Sequence, residues 1–231
     1  MPQLKDREDG VNMANARWRK RIAQLRHSEG TYGVLRFLGT RVLRLYRRRV
    51  FVCNLDGLRD ELEGEVQSQP PEVLHLITDD DLRRQHRYLH VLPPGNEEYL
   101  DGIRSRNTRG LLLLVDDTPA HWAFVMRASR TSMLLGFERD ALLLGNDFTV
   151  PAFRQRGLQT CSVRLRLQEA KRWGAAHAVA ETVMDNDFSA GGLTRGGMRE
   201  LGSVTVCVML NHFVIRIGHQ GYHPKPLGFV A

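Results

Sequence analysis

The segment at residues 142–159, LLLGNDFTVPAFRQRGLQ, constrains the fold more than any other part of this chain. An apolar strand leads through a proline-containing turn to a glycine set among arginines, and a helical pattern then runs over residues 158–173. A strand that delivers a helix start in this way belongs to an α/β arrangement. The first N–H groups of a helix have no intrahelical partners and carry partial positive charge, so a glycine turn there can hold an anion such as pyrophosphate. Arg154 and Arg156 would add charge-assisted hydrogen bonds to the same anion. Many α/β proteins share such a joint, so its use has to be read from the elements around it.

Before the joint, residues 72–77 alternate apolar and polar side chains as a half-buried strand does, and Thr78 or Asp79 can cap a helix over 81–90. Residues 96–106 suggest a further short helix. Residues 110–115 and 120–127 read as strands joined by the turn Asp116–Asp117–Thr118–Pro119. Residues 132–137 and 142–150 look like another hairpin with its turn at 138–140. After the joint come the helix 158–173, a strand at 176–183, a short helix at 188–195, and final strands at 203–210 and 213–217.

Charge divides the chain unevenly. The first 50 residues hold 13 Lys or Arg against 4 Asp or Glu, leaving 20 basic and 22 acidic residues for the remainder. The net charge of +7 therefore describes the N-terminal part and does not make the main domain a nucleic-acid binder. Within that part Val34, Leu35, Leu38, Val42, Leu45 and Tyr46 recur at helical spacing, with Arg36, Arg41, Arg44, Arg47 and Arg48 on the other side. This predicts a basic amphipathic helix that docks on its own domain or on a second subunit. The alternative is contact with an anionic membrane surface or an acidic partner through residues 34–49. Residues 50–54 read as a short strand. The expected division is an N-terminal extension at 1–55 and a main domain at 56–231.

Two local motifs together resemble the GNAT acyltransferase superfamily. The first is Val150-Pro-Ala-Phe-Arg154-Gln155-Arg156-Gly157-Leu158-Gln159, similar to the acetyl-CoA loop R/Q-x-x-G-x-G/A. The second is Asn186-Asp-Phe-Ser189 followed by Gly196-Gly197-Met198 and Gly202, similar to N-x-x-A/S, then G-F/M, then glycine. The resemblance covers about residues 72–217. It implies an α/β (α+β) fold: a central mixed, mostly antiparallel sheet splayed between its fourth and fifth strands, flanked by helices, with acetyl-CoA in the gap and a basic N-terminal helical extension. Amides of Gln155, Arg156, Gly157, Leu158 and Gln159 would surround the pyrophosphate, and Gly157 permits close approach. Amides of Phe148, Thr149 and Val150 would meet the pantetheine arm and polarise the thioester carbonyl. Asn186, with Ser189 one turn on, would anchor the pantetheine or the start of the following helix.

The chain departs from the pattern at two positions. Gln159 replaces the usual small residue, and Leu193 stands where many members carry a tyrosine that protonates the leaving thiolate. Water or a hydroxyl such as Ser189 or Thr194 would have to serve instead. For the general base, Asp147 at the end of the fourth strand and Glu181 on the fifth are the carboxylates nearest the expected reaction point. Strand alternation sets Asp147 and Phe148 on opposite faces, so a bulge would decide which one looks into the cleft.

The reading is thus an acetyl-CoA-dependent N-acetyltransferase that transfers to an amine by direct attack, with a non-catalytic acyl-CoA-binding regulatory module as the alternative. The acceptor is a small-molecule or protein amine, and the final strands could pair two copies as a homodimer. No metal is expected: His212, His219 and His223 match no zinc spacing, and Cys53, Cys161 and Cys207 form no C-x-x-C pair. With no apolar signal core at the start and no membrane-length apolar run, a cytoplasmic protein is expected.

Overall fold

The computed structural model describes residues 43–56, 71–89, 97–127, 129–138, 140–210 and 212–229, together with residues 27, 30 and 31. The strands are β1 (Leu43–Asn54), β2 (Glu72–Leu76), β3 (Thr108–Val115), β4 (Thr118–Met126), β5 (Leu142–Thr149), β6 (His177–Val183), β7 (Arg199–Met209), β8 (Phe213–His219) and β9 (Leu227–Phe229). The helices are α1 (Asp79–Arg84), α2 (His86–Leu89), α3 (Glu97–Arg104), α4 (Arg130–Leu135), α5 (Leu158–Arg172) and α6 (Asp187–Arg195). All the strands join one sheet in the order β2-β3-β4-β5-β6-β1-β7-β8-β9.

Local chemistry accounts for several element ends. Thr78 caps α1 in a reciprocal box, its side chain accepting from the Asp81 N–H while Asp81 accepts from the Thr78 N–H. Asp116 and Asp117 both adopt positive φ in the two-residue β3–β4 turn, a conformation that aspartate tolerates. Residues 132–137 are not a strand. Arg130–Leu135 is the helix α4, because the Ser129 side chain accepts from Thr131 N–H and Gly136 closes the other end in the left-handed region.

Every neighbouring strand pair is antiparallel except β5 and β6, which run parallel for only three residue pairs, ending at Leu144 beside Ala180. Beyond that point the two strands part, and the sheet is splayed as expected for a GNAT-like fold. Leu142 and Leu144 of β5, Ala178 and Ala180 of β6, and Phe51 of β1 pack under Val163 and Leu167 of α5 and Leu193 of α6. The opposite face of β3 and β4 is covered by the first three helices, through Leu82, Tyr88 and Ile103 against Trp122 and Phe124. Helix α4 covers Val204, Val206 and Val214 through Leu135.

The N-terminal reading needs correction. Residues 43–49, expected to end a basic helix, form the first part of β1 instead, and β1 sits inside the sheet between β6 and β7. Leu43 and Leu45 alternate with Arg44 and Tyr46, so the same residues satisfy a period of two, and pairing with β7 from Leu43 onward decides between the periods. The sheet thus takes in residues 43–54, which were assigned to the extension. The rest of the expected helix, residues 34–42, lies outside the described residues.

Candidate functional site

Strand β5 contains a bulge. Gly145 pairs with Phe124 and Phe148 with Trp122, so Asn146 and Asp147 together oppose the single residue Ala123, and Asn146 takes φ 49°. Without the extra residue, Asp147 would share a face with Leu143 and Gly145. With it, Phe148 stacks on Trp122, ring centroids 4.7 Å apart, and Asp147 turns to the α5 side.

There Asp147 meets a buried group that the sequence reading missed. Arg166 of α5 is 1% exposed at its side chain and donates from Nη2 to Asp147 Oδ2 at 2.9 Å. Gln159 Nε2 donates to the same oxygen at 3.4 Å and to Ser189 Oγ at 3.3 Å, tying β5, α5 and α6 together. Burial alone would raise the Asp147 carboxyl, but the charges of Arg166 and His121 hold it below the usual carboxylate value. His121 on β4 is fully buried; its Nδ1 lies 2.8 Å from Thr149 Oγ1, and its Nε2 has no hydrogen-bond partner. Burial pushes the imidazole down to about 4, so it is neutral at neutral pH. A charge inside the apolar stripe of a helix, between Val163 and Leu167, was the signal by which Arg166 could have been found.

On the opposite side of the splay is a cavity of about 460 Å³. Glu181 of β6, Asn146 and Gly145 of the bulge, Ser129 and Thr131 at the start of α4, and Tyr99 of α3 contribute to its lining. Burial raises the Glu181 carboxyl, and Arg48 pulls it back down. Arg48 Nε stands 2.7 Å from Glu181 Oε2, but its N–H is not aimed at that oxygen, so the contact is an ion pair without an aligned hydrogen bond. The two candidate bases are therefore separated by the bulge: Glu181 lines the cavity and Asp147 faces the α5 side.

The anion loop has the expected local form. A short 3-10 turn, Pro151–Phe153, leads to Gln155 and Gly157, which take φ 64° and 74°, and Gly157 caps α5 without any side-chain bond to its first amides. Residues 154–157 are exposed, and Leu158 is anchored in the core beside Leu113 and Ala120. Arg154 folds back, its Nε donating to the Thr149 carbonyl at 3.3 Å, and Arg156 lies over the Phe153 ring.

Other expected residues have defined tasks. Val150 N–H donates to Ala120 O at 2.9 Å, which commits that amide to β4. Antiparallel alternation then makes His121 and Thr149 a non-hydrogen-bonded pair, so the Thr149 N–H points to the splay and the Phe148 N–H to β4. Asn186 caps α6, Oδ1 accepting from Ser189 N–H at 3.0 Å. Thr194 Oγ1 donates to Ala190 O, Leu193 is buried in the core, and of the hydroxyls considered Ser189 remains at the α6 start. Gln159 occupies the space that a side chain on Gly192 would need: a Cβ there would lie 2.5 Å from Gln159 Oε1. The large residue at 159 is accommodated by a glycine on the neighbouring helix. Among the described residues no group of three or more His, Cys, Asp or Glu is placed to hold a metal, and no helix is long and apolar enough to cross a membrane.

No protein-family model matches this sequence, and no curated protein matches it. Solved structures do resemble it in shape. A Drosophila protein aligns with a TM-score of 0.50 at 17% identity over 76% of this chain and 56% of its own. A GNAT-family acetyltransferase from Colwellia psychrerythraea aligns at 0.47 and 10% identity, over 71% and 56%. The aminoglycoside N-acetyltransferase AAC(6')-Iy in complex with CoA aligns at 0.43 and 18% identity, over 56% and 92%. The chain thus spans little more than half the length of the first two. At such identities the likeness is one of fold.

Proposed function

We propose, from a GNAT-like fold with an open splay, that this protein is an acyl-CoA-dependent N-acyltransferase, with acetyl-CoA as its donor and an amine as its acceptor. The observation that carries the reading is the arrangement on either side of the β5 bulge: a side-chain-free helix start for an anion on one side, and a carboxylate-bearing cavity on the other. The pyrophosphate would sit on the amides of residues 155–159, with Arg154 and Arg156 swinging onto it. The pantetheine would run along the splay edge of β5, where the Thr149 N–H is directed, and that amide would stabilise the thioester oxygen as charge develops on it.

In the reaction, Glu181 takes a proton from the acceptor ammonium held in the cavity. The neutral nitrogen attacks the thioester carbon, the C–N bond forms, the C–S bond breaks, and the CoA thiolate leaves. A carboxyl raised by burial suits that role better than one depressed by an arginine, so Asp147 is assigned to holding the bulge. Ser189, its oxygen already accepting from Gln159, would give its hydroxyl proton to the departing thiolate and take the second proton of the acceptor nitrogen in exchange, leaving the neutral amide and CoA thiol.

Calorimetric titration with acetyl-CoA, followed by CoA release across a panel of amines, tests the proposal. Saturable binding with amine-dependent release is expected, and Gly157→Asp should weaken binding by placing a negative charge in the anion loop. Binding without turnover would establish the regulatory module instead, and absence of binding would remove both readings.

A further inference from the structure

Four neighbouring strands present a continuous apolar face that no part of the proposed acyl transfer uses. Strand pairing sets Leu43, Met209, Phe213 and Phe229 side by side in one row across β1, β7, β8 and β9. The next row is Leu45, Cys207, Ile215 and Leu227. Alternate residues point the other way, where Val206, Val208 and Val214 pack into the core under α4, so both rows belong to one side of the sheet.

Among the described residues Met209, Cys207 and Ile215 are partly covered, and the other side chains of the rows, with Ile217 beside Thr205, stand largely in water. Leu43 is 52% exposed, Leu45 68%, Phe213 46%, Ile217 56%, Leu227 71% and Phe229 78%. At about 150–250 Å² for an aromatic side chain and somewhat less for leucine, the patch amounts to about 700 Å². The largest apolar patch of a monomer is about 300–600 Å², whereas one side of a standard protein interface is about 800 Å². The centre carries no charge, and Arg47 stands at the margin beside Thr205, the pattern of an apolar core with a polar rim. The face is broad and apolar, so its complement must also be apolar and of similar area. The same face of a second copy meets that requirement through a two-fold axis, with the two sheets packed about 10 Å apart.

We propose that the β1–β7–β8–β9 face is a two-fold interface between two copies of this chain. Cys207, near the middle of the second row, would be shielded in the pair.

Sedimentation velocity of the full chain over a range of concentrations tests this. A species of twice the 26.4 kDa chain mass is expected at micromolar concentration. The double variant Leu45→Glu, Leu227→Glu should sediment as a monomer with an unchanged far-UV circular dichroism spectrum. Alkylation of Cys207, followed by peptide mass mapping, should be several-fold faster in the variant and in dilute wild type than in concentrated wild type. A wild-type monomer at every concentration overturns the proposal. So does a dimer that survives the double substitution, or Cys207 protection independent of concentration, which would mean that residues 1–42 of the same chain cover the face.

Discussion

Arg166 of α5 and Asp147 of β5 form an ion pair beneath the splay, 2.9 Å from Nη2 to Oδ2, and this pair holds the bulge that turns Asp147 away from the cavity. Its consequences for stability differ from those for catalysis, and the two can be measured separately.

Removing one partner leaves a buried charge without its counterion. Arg166→Met should therefore cost about 3–5 kcal/mol of unfolding free energy. Replacing both partners, with Asp147→Leu added, removes the charge as well and should recover most of the loss. Urea unfolding of the single and double variants checks this, and a double variant no more stable than the single would show that the pair is not the source of the loss.

Acid should act in two stages. His121 titrates at about 4 when folded against an ordinary 6.5, so the unfolded chain binds that proton first and stability falls as pH drops from 6.5 toward 4. The shift corresponds to about 3 kcal/mol. Asp147 is depressed below its ordinary 3.8, so its contribution is in full force above that value and is lost only as pH falls through the lower folded one. His121→Gln should flatten the first stage and shrink the second without abolishing it, because Arg166 still holds Asp147 down, as read by unfolding midpoints from pH 7 into the acid range below 3.8.

If Glu181 is the base, Glu181→Gln should lower kcat/KM by about 10²–10⁴ with little change in acetyl-CoA affinity. The acid limb of the wild-type pH–rate profile should lie above the ordinary carboxyl value of 4.5, because burial raises this group. Arg48 opposes that rise, so Arg48→Met should move the limb to still higher pH. A limb that stays in place would assign the proton transfer elsewhere.

Gly192 and Gln159 should behave as one unit. A methyl group at 192 would strike the Gln159 amide and displace it from Asp147 and Ser189, so Gly192→Ala should resemble Gln159→Ala, each costing about 0.5–1.5 kcal/mol. The double variant should cost little more than either one. Additive losses in thermal or urea unfolding would separate the two residues.

The order of strands and helices was legible because turn chemistry and period speak locally. The Thr78 cap, the Asp116–Asp117 turn and the Gly157 helix start each rest on residues within a few positions of one another. Helix α4 differs from the sequence expectation because 132–137 is apolar enough to pass for a strand, and of its deciding signals Ser129 lies outside that window while Gly136, inside it, also suits a turn. At residues 43–46, helix and strand patterns fit equally well.

The sequence by itself determined the strand–turn–helix joint, the glycine that opens its helix, and the presence of two carboxylates near the splay. Only the tertiary structure decided which of them looks into the cavity, since that depends on Asn146 and Asp147 sharing one partner, Ala123, on another strand. It also decided that β1 enters the sheet, through pairs such as Leu45 with Cys207 that are distant in the chain. Backbone period and turn preference are properties of neighbouring residues, whereas strand register and the burial of Arg166 are settled by partners that the chain brings together only when it folds.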